Sequence, residues 1–177
     1  MRVVGGIHRG RQLDRVMKET TRETSDMVKV AVFNMLGQTL DGIALDLFAG
    51  SGAYGIEALS RGVKHVFFVD QSVDAIYTIK KNIARLNETD TATITQTSYD
   101  RFIRGLNQQI FDYVFIDPPY ELNIYQEVIT RLEPYLSSSA FVICESKKSL
   151  VLPDKIGSLE KIKDKTYGIK RITFYKK

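Results

Sequence analysis

The residues with the clearest chemical meaning are the run Asp117-Pro118-Pro119-Tyr120, at the end of a predicted apolar strand over residues 111–117. Open α/β sheets bind ligands at the carboxyl ends of their strands. The two prolines stiffen the turn, so the Asp117 carboxylate and the Pro118 carbonyl are held as adjacent acceptors. Two acceptors match the two hydrogens of an NH₂ group, and Tyr120 offers an aromatic face on which a base can stack. We therefore expect all four residues to be catalytic and to orient an exocyclic amine as a nucleophile.

A second chemical signature is the glycine loop in Asp46-Leu-Phe-Ala-Gly50-Ser-Gly52, which joins the first predicted central strand to a helix. Gly50 and Gly52 allow a sharp turn and a close approach of the backbone to a ligand. Gly55 completes the pattern G-x-G-x-x-G, and Asp70 ends the next predicted strand. A carboxylate at that place accepts hydrogen bonds from the ribose hydroxyls of an adenosine. The pattern predicts a cofactor that contains adenosine.

The fingerprint alone does not separate NAD from S-adenosylmethionine, because both contain adenosine. NAD continues into an anionic pyrophosphate, whereas S-adenosylmethionine carries a sulfonium and an ammonium group. Asp46 lies close to the loop and adds negative charge, which favours a cationic ligand. We therefore expect S-adenosylmethionine, whose methyl group is already activated, so that the site mainly has to align an in-line displacement.

The pattern of apolar residues supplies the frame for these sites. Strands are predicted over residues 43–48, 66–70, 92–97, 111–117 and 141–145, and helices over residues 52–61, 72–86, 99–106 and 122–136. Such alternation indicates right-handed βαβ units on a doubly wound, largely parallel sheet. Residues 159–165 and 169–175 then predict a terminal β-hairpin, which departs from plain dinucleotide-binding topology.

The amino-terminal part follows a different pattern. Residues 2–5 and 11–17 predict two short strands joined by a turn over residues 6–10. A helix is expected to begin near Ser25 or Asp26, either of which can cap it, and to end before Gly37. We expect one domain over residues 1–177, with a basic extension over 1–37 and a cofactor-binding catalytic core over 38–177.

Charge is unevenly spread along the chain. Residues 1–29 hold seven Lys and Arg against four Asp and Glu, and residues 147–177 hold ten against three. The middle, residues 30–146, holds eight against fourteen. The basic ends are either solvated surface or two flanks that grip a polyanion, with Lys147 and Lys148 close to the catalytic edge.

Composition excludes several other classes. The chain has 177 residues, and no apolar run approaches the roughly 18 residues needed to cross a bilayer. A single cysteine, Cys144, lies in an apolar run that reads as a buried strand, and no signal-peptide pattern opens the chain. His8 and His65 are the two histidines, too few for a histidine-based metal cluster. We expect a cytoplasmic protein that binds neither a metal nor a membrane.

These motifs resemble those of class I methyltransferases with a D-P-P-[YF] motif. More narrowly, the chain is similar over nearly its full length to the bacterial family that methylates the exocyclic N2 of a guanine in 16S rRNA. The segments that carry the resemblance are Arg2-Val-Val-Gly-Gly, Arg9-Gly-Arg11, the run from Thr24 to Leu36, Leu45-Asp-Leu-Phe-Ala-Gly-Ser-Gly52, Gly55-Ile-Glu-Ala-Leu-Ser-Arg-Gly62 and Asp117-Pro-Pro-Tyr120.

The resemblance implies a Rossmann-like class I fold. Its features are a mostly parallel seven-stranded sheet that ends in an antiparallel hairpin, and a short amino-terminal hairpin and helix. It also implies ribosomal RNA, or an assembly intermediate of the small ribosomal subunit, as the partner. The expected cofactor-binding residues are Asp46, Phe48, Ala49, Gly50, Ser51, Gly52, Asp70, Gln71, Ser98 and Tyr99. The expected RNA-binding residues are Arg2, Arg9, Arg11, Arg22, Lys170 and Arg171.

The sequence departs from the family pattern at several positions. Relatives usually have Arg-Pro-Thr where this chain has Arg22-Glu23-Thr24, and often have arginine in place of Met27 and Lys29. After the third strand they tend to place Asp or Asn near the adenine, where this chain has Ser98 and, two residues later, Asp100.

Other classes share parts of the pattern. A DNA adenine-N6 methyltransferase, or another exocyclic-amine methyltransferase, could use the same turn, but the DNA enzymes usually carry a sizeable target-recognition insert. A protein glutamine methyltransferase would have Asn-Pro-Pro-Tyr. An NAD-dependent oxidoreductase fits the glycine loop but not the Pro-Pro turn or the terminal hairpin. A non-enzymatic RNA-binding factor on the same fold is a further alternative.

Overall fold

The computed structural model describes residues 1–16 and 26–177. In this part of the chain, eight strands form a single sheet in the order β3-β2-β1-β4-β5-β8-β7-β6. The strands are β1 (Ile43–Leu47), β2 (His65–Asp70), β3 (Ala92–Gln96), β4 (Phe111–Ile116), β5 (Leu136–Lys147), β6 (Lys155–Ile156), β7 (Leu159–Tyr167) and β8 (Lys170–Lys176).

Helices cover both faces of the sheet. They are α1 (Asp26–Leu36), α2 (Ala53–Ser60), α3 (Val73–Leu86), α4 (Tyr99–Arg104) and α5 (Tyr125–Leu132), with 3-10 turns at Thr89–Thr91 and Glu133–Tyr135. The first three helices pack on one face around a core that includes Phe33, Phe68 and Phe115. Helices α4 and α5 pack on the other face. No helix in the described ranges is long and apolar enough to span a membrane.

The strand order reverses between β1 and β4. Strands β1 to β5 are parallel, and β8, β7 and β6 continue the sheet in antiparallel pairing. In such a sheet, the loops after the two strands at the reversal point go to opposite faces of the sheet. A crevice opens between these loops. The doubly wound sheet with a terminal hairpin is confirmed.

An eighth strand was not predicted. Strand β6 has two residues and pairs with the start of β7 across Gly157, which adopts a φ of 58°. Two residues are too few to show the alternation by which a strand is recognised in a sequence.

Helix α5 and strand β5 differ from their predicted lengths. The helix was expected over residues 122–136 but ends at Leu132, and Pro134 lies in the 3-10 turn that follows. Strand β5 begins at Leu136 rather than near residue 141. Its first part contains three consecutive serines and shows a register irregularity against β4, so neither periodicity nor apolar content marks it as a strand.

The amino-terminal hairpin is tighter and less regular than predicted. Arg2 and Gln12 form an isolated antiparallel bridge rather than two paired strands. Gly6 and Gly10 both have positive φ, so this segment is built from turns. Residues 17–25 lie outside the described part of the chain, so neither Arg22 nor the Ser25 cap can be placed; α1 starts at Asp26.

The hairpin docks on the carboxyl-terminal end of α2 through buried polar groups. The backbone N–H of Val4 donates to the Glu57 carboxylate at 2.8 Å, and the Ser60 hydroxyl donates to the Gly5 carbonyl at 2.6 Å. Glu57 also pairs with Arg61, at 3.0 Å. Lys29 of α1 is fully buried and donates to the Arg2 carbonyl. The amino-terminal segment is therefore fixed to helices α1 and α2.

Candidate active site

The loop after β1 has a backbone that leaves open space above it. Phe48, Gly50 and Gly52 have positive φ values of 67°, 54° and 81°. The Gly52 N–H closes the turn on the Ala49 carbonyl at 2.7 Å. A side-chain carbon added at Gly50 would meet nothing within 4 Å. The loop therefore forms a cradle that a ligand, rather than the protein, can fill.

Asp70, at the end of β2, organises this cradle. One carboxylate oxygen accepts the Gly50 N–H at 2.9 Å and the other accepts the Ser72 N–H at 2.8 Å. Each oxygen retains a further lone pair, and the side chain remains partly exposed. Asp70 ties the glycine loop to the start of α3 and still has acceptors available for a ligand.

Asp46 has a different environment from the one expected. It is only 2% exposed, and its carboxyl accepts the Gly55 N–H of α2 at 2.8 Å. Burial, reinforced by the neighbouring Asp70, raises the pKa of Asp46 to about 7 despite that hydrogen bond. The expected full negative charge beside the loop is therefore corrected to a carboxyl that is partly protonated at neutral pH. As a result, the charge argument against NAD is weakened.

Two aromatic residues lie just beyond the carboxyl ends of β1 and β3. The Phe48 and Tyr99 rings pack with their centroids 5.4 Å apart. Ser98 caps α4 by accepting the Arg101 N–H at 3.3 Å. Asp100 pairs with Arg104 and Arg131, which makes it less available to an adenine than Ser98.

The remaining cofactor candidates also lie along this edge. Ala49 donates its N–H to the Val69 carbonyl at 3.0 Å, Ser51 is partly buried, and Gln71 is exposed beyond β2. The structure thus brings all ten residues to the carboxyl ends of β1, β2 and β3. Their contacts with a cofactor remain a prediction.

The Asp117 turn leaves β4 beside this cradle. Leu47 and Ile116 are partners in the pairing of β1 with β4, so Phe48 and Asp117 follow at the same level of the sheet. Pro118 is buried, and the Pro119 carbonyl accepts the Leu122 N–H at 2.9 Å. The Tyr120 ring lies 5.9 Å from the Lys147 ammonium group.

A buried charge cluster lies behind the turn. Glu145 is 1% exposed, and its carboxylate accepts the Tyr54 hydroxyl at 2.7 Å and pairs with the Lys170 ammonium. Burial raises the pKa of Asp117 well above its usual range; the Glu145 and Asp46 carboxyls add to that rise and Lys170 opposes it. Sequence reasoning missed Glu145 and Tyr54, although a glutamate inside the apolar run Phe-Val-Ile-Cys-Glu was a usable signal.

The expected RNA-binding residues that the structure describes differ in their exposure and in their ion pairs. Lys170 is 8% exposed and paired with Glu145, so its assignment to RNA contact is corrected. Arg171 is largely covered and binds Asp164 and the Lys148 carbonyl. Arg2 is exposed and pairs with Asp26 at 2.9 Å, whereas Arg9 and Arg11 are exposed on the amino-terminal hairpin.

Metal ligation is not part of this site in the described residues. Across residues 1–16 and 26–177, no three His, Cys, Asp or Glu side chains are grouped so that they could hold a metal ion. The absence of a metal in the active protein remains a prediction.

Known proteins share this architecture. The sequence model of the family described as conserved hypothetical protein 95 matches residues 1–176. Ribosomal RNA small subunit methyltransferase D of Haemophilus influenzae is 35% identical over 182 residues, covering 99% of this chain and 93% of that protein. The protein of that name from Escherichia coli K12 is 33% identical over 158 residues, with coverage of 86% and 78%. A Streptococcus pyogenes structure, described as a conserved hypothetical protein, matches with TM-score 0.80 at 38% identity, covering 84% and 94% of the two chains.

Proposed function

The chain belongs to the family described as conserved hypothetical protein 95, and on that premise we propose that it is an S-adenosylmethionine-dependent rRNA methyltransferase. The proposed product is a guanine methylated at its exocyclic N2 in the 16S RNA of the small ribosomal subunit. The relatives named above support the substrate class, because their names give small-subunit ribosomal RNA. The specific atom and base are our inference from the Asp117 turn and the family resemblance.

The observation that carries the proposal is the placement of two loops. The glycine loop follows β1 and the Asp-Pro-Pro-Tyr turn follows β4, and these two strands are neighbours where the strand order reverses. A cofactor over the first loop and a base against the second would meet in one crevice. Both elements of a group transfer are thus provided by adjacent strand ends.

The residues of the cradle fit S-adenosylmethionine. Asp70 has acceptor capacity for the ribose hydroxyls, the open space above Gly50 admits the ligand, and Phe48 and Tyr99 provide apolar surface for the adenine. When bound, the cofactor supplies a methyl group that its sulfonium has already activated. The chain therefore has to align the acceptor nitrogen rather than to activate the donor.

The Asp117 turn orients that nitrogen. The Asp117 carboxylate and the Pro118 carbonyl accept the two amine hydrogens, which directs the nitrogen lone pair toward the cradle. Tyr120 stacks on the base, and Lys147 beside its ring adds positive charge for a nearby phosphate. The proton leaves once the nitrogen carries the new methyl group.

The short connecting segments of the protein favour a substrate that a larger assembly presents. The segments from β4 to α5 and from β5 to β7 are short, and neither forms a target-recognition insert of the kind that DNA adenine enzymes use. A domain with so little surface of its own gains specificity when a ribonucleoprotein holds the base in place. We therefore propose an assembly intermediate of the small subunit, in the cytoplasm, as the substrate.

A methyl-transfer assay with tritium-labelled S-adenosylmethionine tests this function. We expect label in small-subunit rRNA particles and none in DNA or protein. Asp117→Ala should bind S-adenosylhomocysteine with nearly unchanged affinity while its turnover falls at least about 100-fold, because the lost acceptor acts on the target amine. Near-normal turnover by Asp117→Ala, or preferential labelling of DNA, would contradict the assignment.

A further inference from the structure

We propose that Glu145 and Lys170 form a buried charge pair that positions the Asp117 turn and sets the pH at which the Asp117 carboxyl ionises for the target amine. The inference rests on the proposed function, in which Asp117 accepts an amine hydrogen. It assigns positioning roles to two residues that lie behind the catalytic turn.

Sheet register places the three side chains together. Ile116 pairs with Cys144 in the parallel contact of β4 with β5, so Asp117 and Glu145 occupy the next neighbouring positions. In the antiparallel contact of β5 with β8, Glu145 lies opposite Ile172 and Lys147 lies opposite Lys170. Lys170 therefore reaches Glu145 along the diagonal that neighbouring strands allow.

The buried charge cluster near Asp117 contains more carboxyl groups than positively charged groups. The titratable groups that face Asp117 are Glu145 from β5, Lys170 from β8, Asp46 from β1, Tyr54 from α2 and Tyr125 from α5. Tyr120 of the same turn lies close to Tyr125. Burial and the nearby carboxylates raise the pKa of Tyr54 well above its usual range, so its hydroxyl remains a neutral donor. Lys170 is the cation among these groups.

An ionised Asp117 is a chemical requirement of the proposed reaction. A carboxylate offers acceptors only, whereas a protonated carboxyl presents an O–H donor. A donor aimed at an NH₂ group would compete with the hydrogen bonds that orient it. Because the Glu145 and Asp46 carboxyls disfavour the ionised form of Asp117, a positive charge close to them makes its ionisation easier.

Lys170 offsets the effect of Glu145 on Asp117. While the Lys170 ammonium is paired with Glu145, the pair has no net charge toward Asp117. Removing Lys170 alone leaves the Glu145 carboxylate unbalanced beside Asp117. Removing the Glu145 charge alone leaves the ammonium to stabilise the Asp117 carboxylate. The two substitutions must therefore shift the Asp117 titration in opposite directions.

Carbon-13 NMR of the free protein labelled at aspartate carboxyls measures this directly. The Asp117 signal is assigned by its loss in Asp117→Asn. We expect Lys170→Met to raise the Asp117 titration midpoint by about one unit or more, and Glu145→Gln to lower it by about one unit or more. Lys165→Met, which removes an exposed positive charge from β7, should shift it by less than about 0.3 units.

The double substitution Glu145→Gln with Lys170→Met keeps the test decisive if Lys170→Met alone does not fold. It removes both charges, so its midpoint should return toward that of the wild type and lie above that of Glu145→Gln. The inference would be overturned if the Asp117 midpoint shifted in the same direction in both single variants, or if it shifted in neither of them. A double variant that titrates like Glu145→Gln would also overturn it.

Turnover against pH then tests the consequence for the reaction. Activity should rise with pH as Asp117 ionises; the rise should move to higher pH in Lys170→Met and to lower pH in Glu145→Gln. Lys170→Arg keeps the charge and should retain the wild-type profile. An inactive wild type would refute the proposed function and leave the NMR result standing. An active wild type whose rise is unmoved by either substitution would refute only the charge-pair inference.

Discussion

The carboxylate of Asp70 shows how one side chain can serve both the fold and the ligand. Its two oxygens hold the Gly50 and Ser72 N–H groups in the free protein, so the cradle is formed before a cofactor arrives. A preformed loop reduces the ordering that binding would otherwise require. In the proposed function, the ribose contact and the loop geometry would therefore depend on the same group.

Asp70→Ala should weaken the binding of S-adenosylhomocysteine. Each charge-assisted hydrogen bond to the ribose contributes roughly 1.5–3 kcal/mol, so we expect at least a tenfold loss of affinity by calorimetry. Asp70→Asn preserves an acceptor and should lose less than Asp70→Ala. Unchanged affinity in Asp70→Ala would show that the ribose lies elsewhere.

Individual site residues could be predicted where a motif gives them a chemical signature at a strand end. Asp70 and Asp117 lie where their motifs place them, at the ends of β2 and β4, and their roles stay predictions. Glu145 and Lys170 were not linked, because their contact depends on the register of β5 with β8, which no local pattern specifies. Lys170 was assigned to RNA contact as part of the basic carboxyl-terminal hairpin. The alternation of β8 instead turns Lys170 toward Glu145 and Arg171 toward Asp164.

Helix α2 lies close to the sheet because it contains a glycine where a side chain would not fit. A carbon added at Gly55 would lie 2.3 Å from the Phe68 ring and 2.8 Å from Val66. This close approach also brings the start of α2 within reach of the Asp46 carboxyl. The third glycine of the fingerprint thus sets the spacing between helix and sheet.

Gly55→Ala should destabilise the protein despite the better helix propensity of alanine. Overpacking of this kind costs about 1–3 kcal/mol, and alanine recovers up to about 1 kcal/mol of that. We expect a net loss of roughly 1–2 kcal/mol in urea unfolding. Gly105→Ala is the matched control, because the added carbon would meet only ordinary contacts at 3.5 Å. Equal stability of the two variants would contradict the close packing.

The accuracy of the predicted elements followed the strength of their patterns. Helix α3 was correct to within one residue at its start, because buried residues recur at helical spacing and Ser72 caps it. The amino-terminal strands reduce to one antiparallel bridge between Arg2 and Gln12, and their apolar residues pack into the core beside α1 and α2. The early part of β5 is held by neighbouring strands and shows no periodicity of its own.

In the whole molecule, acidic and basic residues are concentrated in different parts of the chain. Residues 30–146 have an excess of acidic residues, so we expect attraction for RNA to come from the basic ends. At the amino end, Asn82 of α3 donates to the Ser51 carbonyl at 3.2 Å and the Asp14 carbonyl at 3.1 Å. The basic hairpin is thereby attached to the same loop that forms the cofactor cradle.

Arg9→Ala combined with Arg11→Ala should weaken RNA binding without changing cofactor affinity. Both side chains are exposed on the hairpin, and their loss should reduce the slope of log affinity against log salt by about 1–2 units. Titrations across a range of salt concentrations measure that slope. Wild-type affinity with a wild-type slope would move the RNA-binding surface to the carboxyl-terminal hairpin and to Lys147 and Lys148.

The central claim, methyl transfer to a guanine N2 in 16S rRNA, is tested most directly in the organism that encodes the protein. Mass mapping of rRNA nucleosides would compare a deletion strain with strains that express the wild type or Asp117→Ala. The account predicts that the deletion removes one N2-methylguanosine from 16S rRNA, and that the wild type restores it while Asp117→Ala does not. An unchanged set of 16S N2-methylguanosines in the deletion strain, or restoration by Asp117→Ala, would contradict it.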